Sequence, residues 1–254
     1  MADRLYLSSF LEARGYLHVT NGDPLHTPDV SGARTSLKAD EDSFFVNGLL
    51  TFASCCASIN KRNYSWAFIQ SYYALFYMAK SLLAAHDYGV FYKDRKSPFV
   101  IKLSRGERFR LVHGNSHKVV LDLYKEVFDG NTLLMDSIED KVAIDWFEDV
   151  RNRINYRTNP LPEPDAPYPV YAFDDDLRKR ISEYRENIVF ATDAEHAYVA
   201  YILRLIDFEL HLYQNEDRKN RFLTERVLNH IRENISDKNG PISFYIKELA
   251  TIKA

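Results

Sequence analysis

Cysteine is almost missing from this 254-residue chain: Cys55 and Cys56 are the whole complement, adjacent and set in an apolar stretch. One geometry would have to satisfy both side chains across a single peptide, so a disulfide-built scaffold is excluded. Two small buried thiols in a reducing compartment are expected instead. Glycine and proline are scarce, nine of each, which excludes a collagen-like or low-complexity chain. No apolar run approaches the roughly 20 residues that span a bilayer. The N-terminal MADRLYLSSFLEARGYLHV also lacks the apolar core of a signal peptide. The expectation is a cytoplasmic protein with no membrane partner. A surplus of one charge is lacking too, since 33 Lys and Arg stand against 36 Asp and Glu, a net −3. Wholesale phosphate neutralisation needs a basic surplus, so a non-specific nucleic-acid coat is excluded.

The common chemical signatures are missing as well. There is no G-x-x-x-x-G-K-[ST] phosphate loop, no G-x-G-x-x-G turn, no H-E-x-x-H and no paired C-x-x-C, and standard nucleotide and zinc chemistries lose their support. No cofactor and no metal are expected. His113 and His117 have the i, i+4 spacing of a helical metal pair, but Gly114, Asn115 and Ser116 between them suggest a turn leading into a helix cap. His196, in TDAEHAY, reads as a first-turn helix residue rather than a ligand.

What is present is helical patterning. With 46% hydrophobic residues the chain is long enough to bury a sizeable core. Residues 1–39 pass from a short apolar start into the loop-like NGDPLHTPDVSGART. A first helix is predicted from Asp40 to about Asn60, and a second from Tyr64 to His86, apolar almost all round and therefore central. Tyr72, Tyr73 and Tyr77 on it read as core. Residues 93–118 differ in carrying eight Lys or Arg against Asp94 and Glu107. Ser116 looks like the cap of HKVVLDLYKEVF, and a further helix over Ile138–Arg157 has Ala143, Phe147, Val150 and Ile154 on one face. Five of the nine prolines then crowd residues 159–169, a stiff linker. Helical patterns follow at 174–189, 192–215 and 221–235, and ISFYIKELATI reads as a short helix or a strand. The fold class is all-α, with an N-terminal extension (1–39), a helical bundle (40–158), a linker (159–172) and a C-terminal helical extension (173–254).

The informative constellation is DVRNRINYR, residues 149–157, which sets Arg151, Arg153 and Arg157 with Asn152 and Asn155 at the end of an acidic amphipathic helix. Cations favour the negative end of a helix dipole, so a solvated last turn accounts for part of this. Guanidinium forks and amides also suit phosphate and base edges. On a regular α-helix Arg151 and Asn155 share a face, whereas Tyr156 lies about 140° round from Arg151. One helix alone is therefore not expected to aim Arg151 and Tyr156 at the same atom, whereas pairing with a second copy across a two-fold axis could bring both together in a shared cleft.

At these residues the sequence resembles the HEPN superfamily (higher eukaryotes and prokaryotes nucleotide-binding). SWAFIQSYYALFYMAKSLLAA is similar to the family's Tyr-Tyr-Ala helix, GNSHKVVLDLYKEVF to its Ser-His helix, and DVRNRINYR to its Arg-Asn-x-x-x-His motif. The likeness covers residues 40–158. It implies an up-and-down bundle that homodimerises through the motif helices. It further implies, for many members, metal-independent RNA cleavage in toxin–antitoxin or anti-phage defence. There the Arg holds the scissile phosphate, the His moves protons and the ribose 2′-hydroxyl attacks. Arg151 matches the Arg and Asn152 the polar residue after it, while Tyr156 stands where the His belongs. A phenol with an ordinary pKa near 10 is a poor base at neutral pH but can donate a hydrogen bond or a proton. Arg153, Asn155, Arg157 and His117 complete the candidate substrate-binding set. The expected function is binding of RNA or nucleotide phosphate in a dimer cleft, with RNA cleavage as its stronger form. The alternative is a catalytically silent adaptor that holds a partner protein such as an antitoxin, a nucleotidyltransferase or a defence effector.

Overall fold

A computed structural model describes residues 5–93, 98–131, 134–157 and 177–213, with single positions at 229, 243, 245 and 247. Among these residues the chain is mostly helical, with seven α-helices and two small antiparallel sheets. The all-α expectation therefore holds in its coarser form. The proline-rich stretch lies outside the described residues, and so does the helix expected at 221–235 except for Asn229, which is helical. Positions 243, 245 and 247 are helical, which settles the reading left open for ISFYIKELATI at those residues. The chain divides into two compact units, Met1–Val46 with Phe76–Asp129, and Asn47–Leu75 with Gly130–Ala254.

In the first unit, helix α1 (Tyr6–Ala13) buries Leu7 and Leu11, four residues apart on one face. Its first amides have no local cap. Instead the carboxylate of Asp40, buried on α2 (Thr27–Asn60), accepts from the N–H of Tyr6 at 2.8 Å and of Leu7 at 2.9 Å. The expected helix start at Asp40 is thus too late by thirteen residues. Pro28 and Asp29 lie in the first turn of α2, where a missing N–H and a negative charge are tolerated. Asp29 is tied there to Tyr16 and Arg14, and the Tyr16 hydroxyl, ahead of Arg14, holds its carboxyl below the usual range. Between α1 and the single turn at Tyr16–His18, Gly15 takes φ +88°, the left-handed conformation that glycine supplies without strain.

The basic stretch folds as a sheet. Strand β1 (Tyr88–Tyr92) pairs antiparallel with β2 (Pro98–Lys102), Val90 opposite Val100, and β3 (Arg110–Leu111) adds to β2. Phe91, Phe99, Ile101 and Phe109 bury against Leu7, Leu11 and Leu37. Several of its cations are engaged locally. Arg110 meets Glu126 at 2.8 Å, Lys118 meets Asp122 at 2.8 Å, and Arg108 donates to the Gly22 carbonyl. Helix α3 (Tyr64–Ala85) stops short of the expected His86, and Gly89 lies within β1. Helix α4 (Ser116–Val127) is capped by Asn115, whose side chain accepts from the Lys118 N–H, so Ser116 is the first helical residue rather than the cap. Gly114 at φ +137° precedes that cap, and His113 and His117 share no helix.

In the second unit, Ser137–Ile138 (β4) and Lys141–Val142 (β5) form a hairpin whose two loop residues, Glu139 and Asp140, both have positive φ. The hairpin takes residues the helical pattern had claimed, and α5 begins at Ala143 and runs to Asn152. The Glu139 carboxylate accepts from the Trp146 indole at 2.9 Å, which ties the turn to the helix. Helix α6 (Leu177–Glu186) precedes α7 (Ala197–Tyr213), which is buried throughout its first seven residues. Its Tyr201 hydroxyl donates to the Leu134 carbonyl at 2.7 Å, its Tyr198 carbonyl accepts from Ser71, and Arg204 pairs with Asp136. Cys55 and Cys56 are buried and unbridged, and burial pushes the Cys55 thiol up to about 12. By length and composition helix α2 is apolar enough to cross a membrane, with an 18-residue stretch of mean hydropathy 1.3, which corrects the expectation that no apolar run approaches that length. Of that stretch 56% is buried inside the protein, as in a core helix.

Candidate functional site

The site is built where α5 ends. Ala143, Ile144, Trp146, Phe147 and Val150 bury one face of the helix, so Arg151 leaves the core on its last regular turn. Residues Arg153–Arg157 then continue as a π-helical turn. In an α-helix the bonds span four residues; in a π turn they span five, and residues five apart come closer together around the axis than on a regular α-helix. The consequence is direct: the Arg151 guanidinium lies 5.5 Å from the centre of the Tyr156 ring. The expectation that one chain cannot bring these two side chains together is therefore corrected. It assumed regular α-helical spacing across residues 151–156, and the helix widens there.

A second ring flanks the same guanidinium. Tyr72, buried on α3, has its ring centre 5.5 Å from the Arg151 carbon. Arg151 Nη1 donates to Asn152 Oδ1 at 2.9 Å, and the Tyr73 hydroxyl accepts from the same guanidinium. Burial works to lower the pKa of Arg151, and the acceptor Tyr73 together with the Tyr156 and Tyr72 phenols outweighs it and raises it. Burial pushes the Tyr72 phenol up, reinforced by Glu148, so Tyr72 is a neutral wall. Nε of Arg151 is buried with no hydrogen-bond partner among the described residues. No carboxylate pairs with Arg151 there either. The neighbouring Asp149 is taken by Lys141 at 2.5 Å.

Of the residues singled out in the sequence, Arg151, Asn152 and Tyr156 come together. Arg153 and Asn155 are exposed on the same turn. The backbone of Arg157 closes that turn, and its side chain lies outside the described residues. His117 belongs to the first unit, where its ring stacks on Phe76 with centres 4.2 Å apart. The sequence alone marks Tyr72 and Tyr73 as core. They do sit in the most apolar helix, and no local signal ties that helix to a cation some eighty positions later.

A guanidinium with two phenol rings beside it and no carboxylate partner among the described residues keeps donors for an anion. Tyr156 is 73% exposed, and its ring can meet a base while its hydroxyl donates to an oxygen. Elsewhere in the second unit, Asp193, Glu195 and half-buried His196 hold potential ligand atoms within 4.8 Å of one another. There His196 Nδ1 lies 2.8 Å from the Tyr184 hydroxyl, and Asp193 accepts from the Glu195 N–H. Compared with known proteins, the chain matches no family model, no curated protein and no solved structure.

Proposed function

We propose that this is a HEPN-type protein that binds RNA or nucleotide phosphate at the Arg151 site, as a homodimer in which two such sites share a cleft. The observation that carries the reading is the state of Arg151. Its guanidinium carbon lies 5.5 Å from the ring centres of both Tyr72 and Tyr156 and is tied to no carboxylate among the described residues. A guanidinium kept only for a helix terminus needs neither ring, and one neutralised by its own helix would be of little use to an anion.

Cleavage is the stronger form of the same proposal. The ribose 2′-hydroxyl attacks phosphorus, the bond to the 5′-oxygen breaks, and 2′,3′-cyclic phosphate and 5′-hydroxyl ends result. Arg151 stabilises the charge gathering on the non-bridging oxygens. Tyr156 donates to the departing 5′-oxygen, and the 2′-hydroxyl proton passes to solvent because no histidine stands in the motif.

The test is to titrate labelled single-stranded RNA at low salt with EDTA present, comparing the protein with Arg151→Ala and Tyr156→Phe. Binding that weakens at least tenfold in Arg151→Ala supports the reading. Cyclic-phosphate ends that disappear in both variants support the enzyme. Binding without cleavage leaves a phosphate-binding protein. Absence of binding refutes the proposal and leaves the adaptor. Sedimentation tests the dimer, and a clean monomer removes the shared cleft.

A further inference from the structure

The first unit contains a cavity of about 130 Å³, with Leu7, Leu37 and Leu83 in its wall. Lys80 also lines it, from the second half of α3. Its ammonium lies 3.7 Å from the centre of the Phe44 ring and 5.6 Å from that of Phe76, both rings being part of the same wall. Apart from those rings, nothing among the described residues hydrogen-bonds or pairs with Nζ. A second donor lies in the lining. The hydroxyl of Tyr92, on β1, is buried with no hydrogen-bond partner among the described residues. Ser116 adds the first turn of α4, the positive end of a twelve-residue helix.

The one carboxylate in the wall is Asp40, and both of its oxygens are already held by the α1 amides. Tyr88 is the remaining titratable group there, since α1 and the rest of α4 contribute only apolar side chains. Two idle donors and a helix N-terminus in an apolar chamber call for an acceptor, and an ammonium calls for an anionic one. The volume sets the size, because a cavity of roughly 150 Å³ accommodates one benzene ring.

We propose that this cavity binds a small monocarboxylate with one ring or a short alkyl chain, its carboxylate on Lys80 and Tyr92. Benzoate and hexanoate are suitable probes. The carboxylate requires the protonated amine, and Lys80 loses its proton early. Burial, opposed by Asp40, brings it down to about 8. Affinity should therefore be constant from pH 6.5 to just below that value and fall about tenfold per pH unit above it, whereas an apolar pocket without the amine would bind toluene with no pH dependence.

Isothermal titration with benzoate between pH 6.5 and 9.5 decides. The expected result is saturable one-to-one binding, weakened about tenfold in Tyr92→Phe and lost in Lys80→Met, with benzyl alcohol binding at least tenfold more weakly than benzoate. No binding at 10 mM benzoate overturns the proposal, and so does binding that is indifferent to pH. Should Lys80→Met fail to fold, the pH profile of the unaltered protein and Tyr92→Phe are sufficient. This site is independent of the Arg151 site, and its failure leaves the phosphate reading untouched.

Discussion

Lys80→Met should change the pH dependence of stability by an amount that follows from the burial of one amine. In the folded protein Lys80 titrates at about 8 against an ordinary value of 10.5, because burial disfavours its charged form more than Asp40 restores it. Between those two values the unfolded chain carries a proton the folded chain has released, so the stability of the unaltered protein rises with pH. Integrating the two titrations from pH 7.5 to 9.5 gives a gain of about 2 kcal/mol relative to the Met variant. Tyrosines whose phenols burial raises, such as Tyr16, Tyr92 and Tyr198, are common to both proteins and cancel in the difference. Urea unfolding followed by circular dichroism, at half-unit pH steps and fixed ionic strength, measures it. Lys80→Met should be the more stable protein at pH 7.5, and its advantage should shrink steadily to pH 9.5. A difference between the two proteins that stays constant within about 0.5 kcal/mol would refute the argument, because an amine exposed to water has no such slope.

Three further outcomes are expected. Arg151→Ala should weaken RNA binding by about 1.5–3 kcal/mol, the worth of a hydrogen bond to a charged group, and lower the slope of log affinity against log salt by about 0.7 for single strands; an unchanged slope would mean that Arg151 meets no phosphate. Asp40→Ala strips the acceptor from two amides of α1 and should destabilise the first unit by about 2 kcal/mol. In native-state hydrogen exchange the α1 amides should accelerate while those of α7 do not. Gly15→Ala meets no atom within 4 Å, so its loss of about 1–2 kcal/mol on thermal or urea unfolding is purely conformational, and Gly15→Asn should lose less.

The amino-acid sequence determines most of the helices by itself, because an element facing a core writes its period into neighbouring residues. Ala143, Phe147 and Val150 predict the buried face of α5, and the near-continuous apolar run from Tyr64 to His86 predicts a largely buried helix, which α3 is. Where several local signals compete, the period misleads. Gly32 and the polar residues around it conceal the first turns of α2, and a hairpin with both loop residues at positive φ takes the expected start of α5. The candidate site divides in the same way. That Arg151, Asn152 and Tyr156 form one candidate constellation is legible in nine consecutive letters. That the Arg151 guanidinium lies over the Tyr156 ring accompanies a π turn, which the apolar period of the sequence does not announce. Tyr72 beneath the guanidinium, Asp40 capping a helix more than thirty residues away and Lys80 against Phe44 were beyond sequence reading. A side chain's type is local information, whereas its partner and its dielectric surroundings exist only once distant segments are packed together.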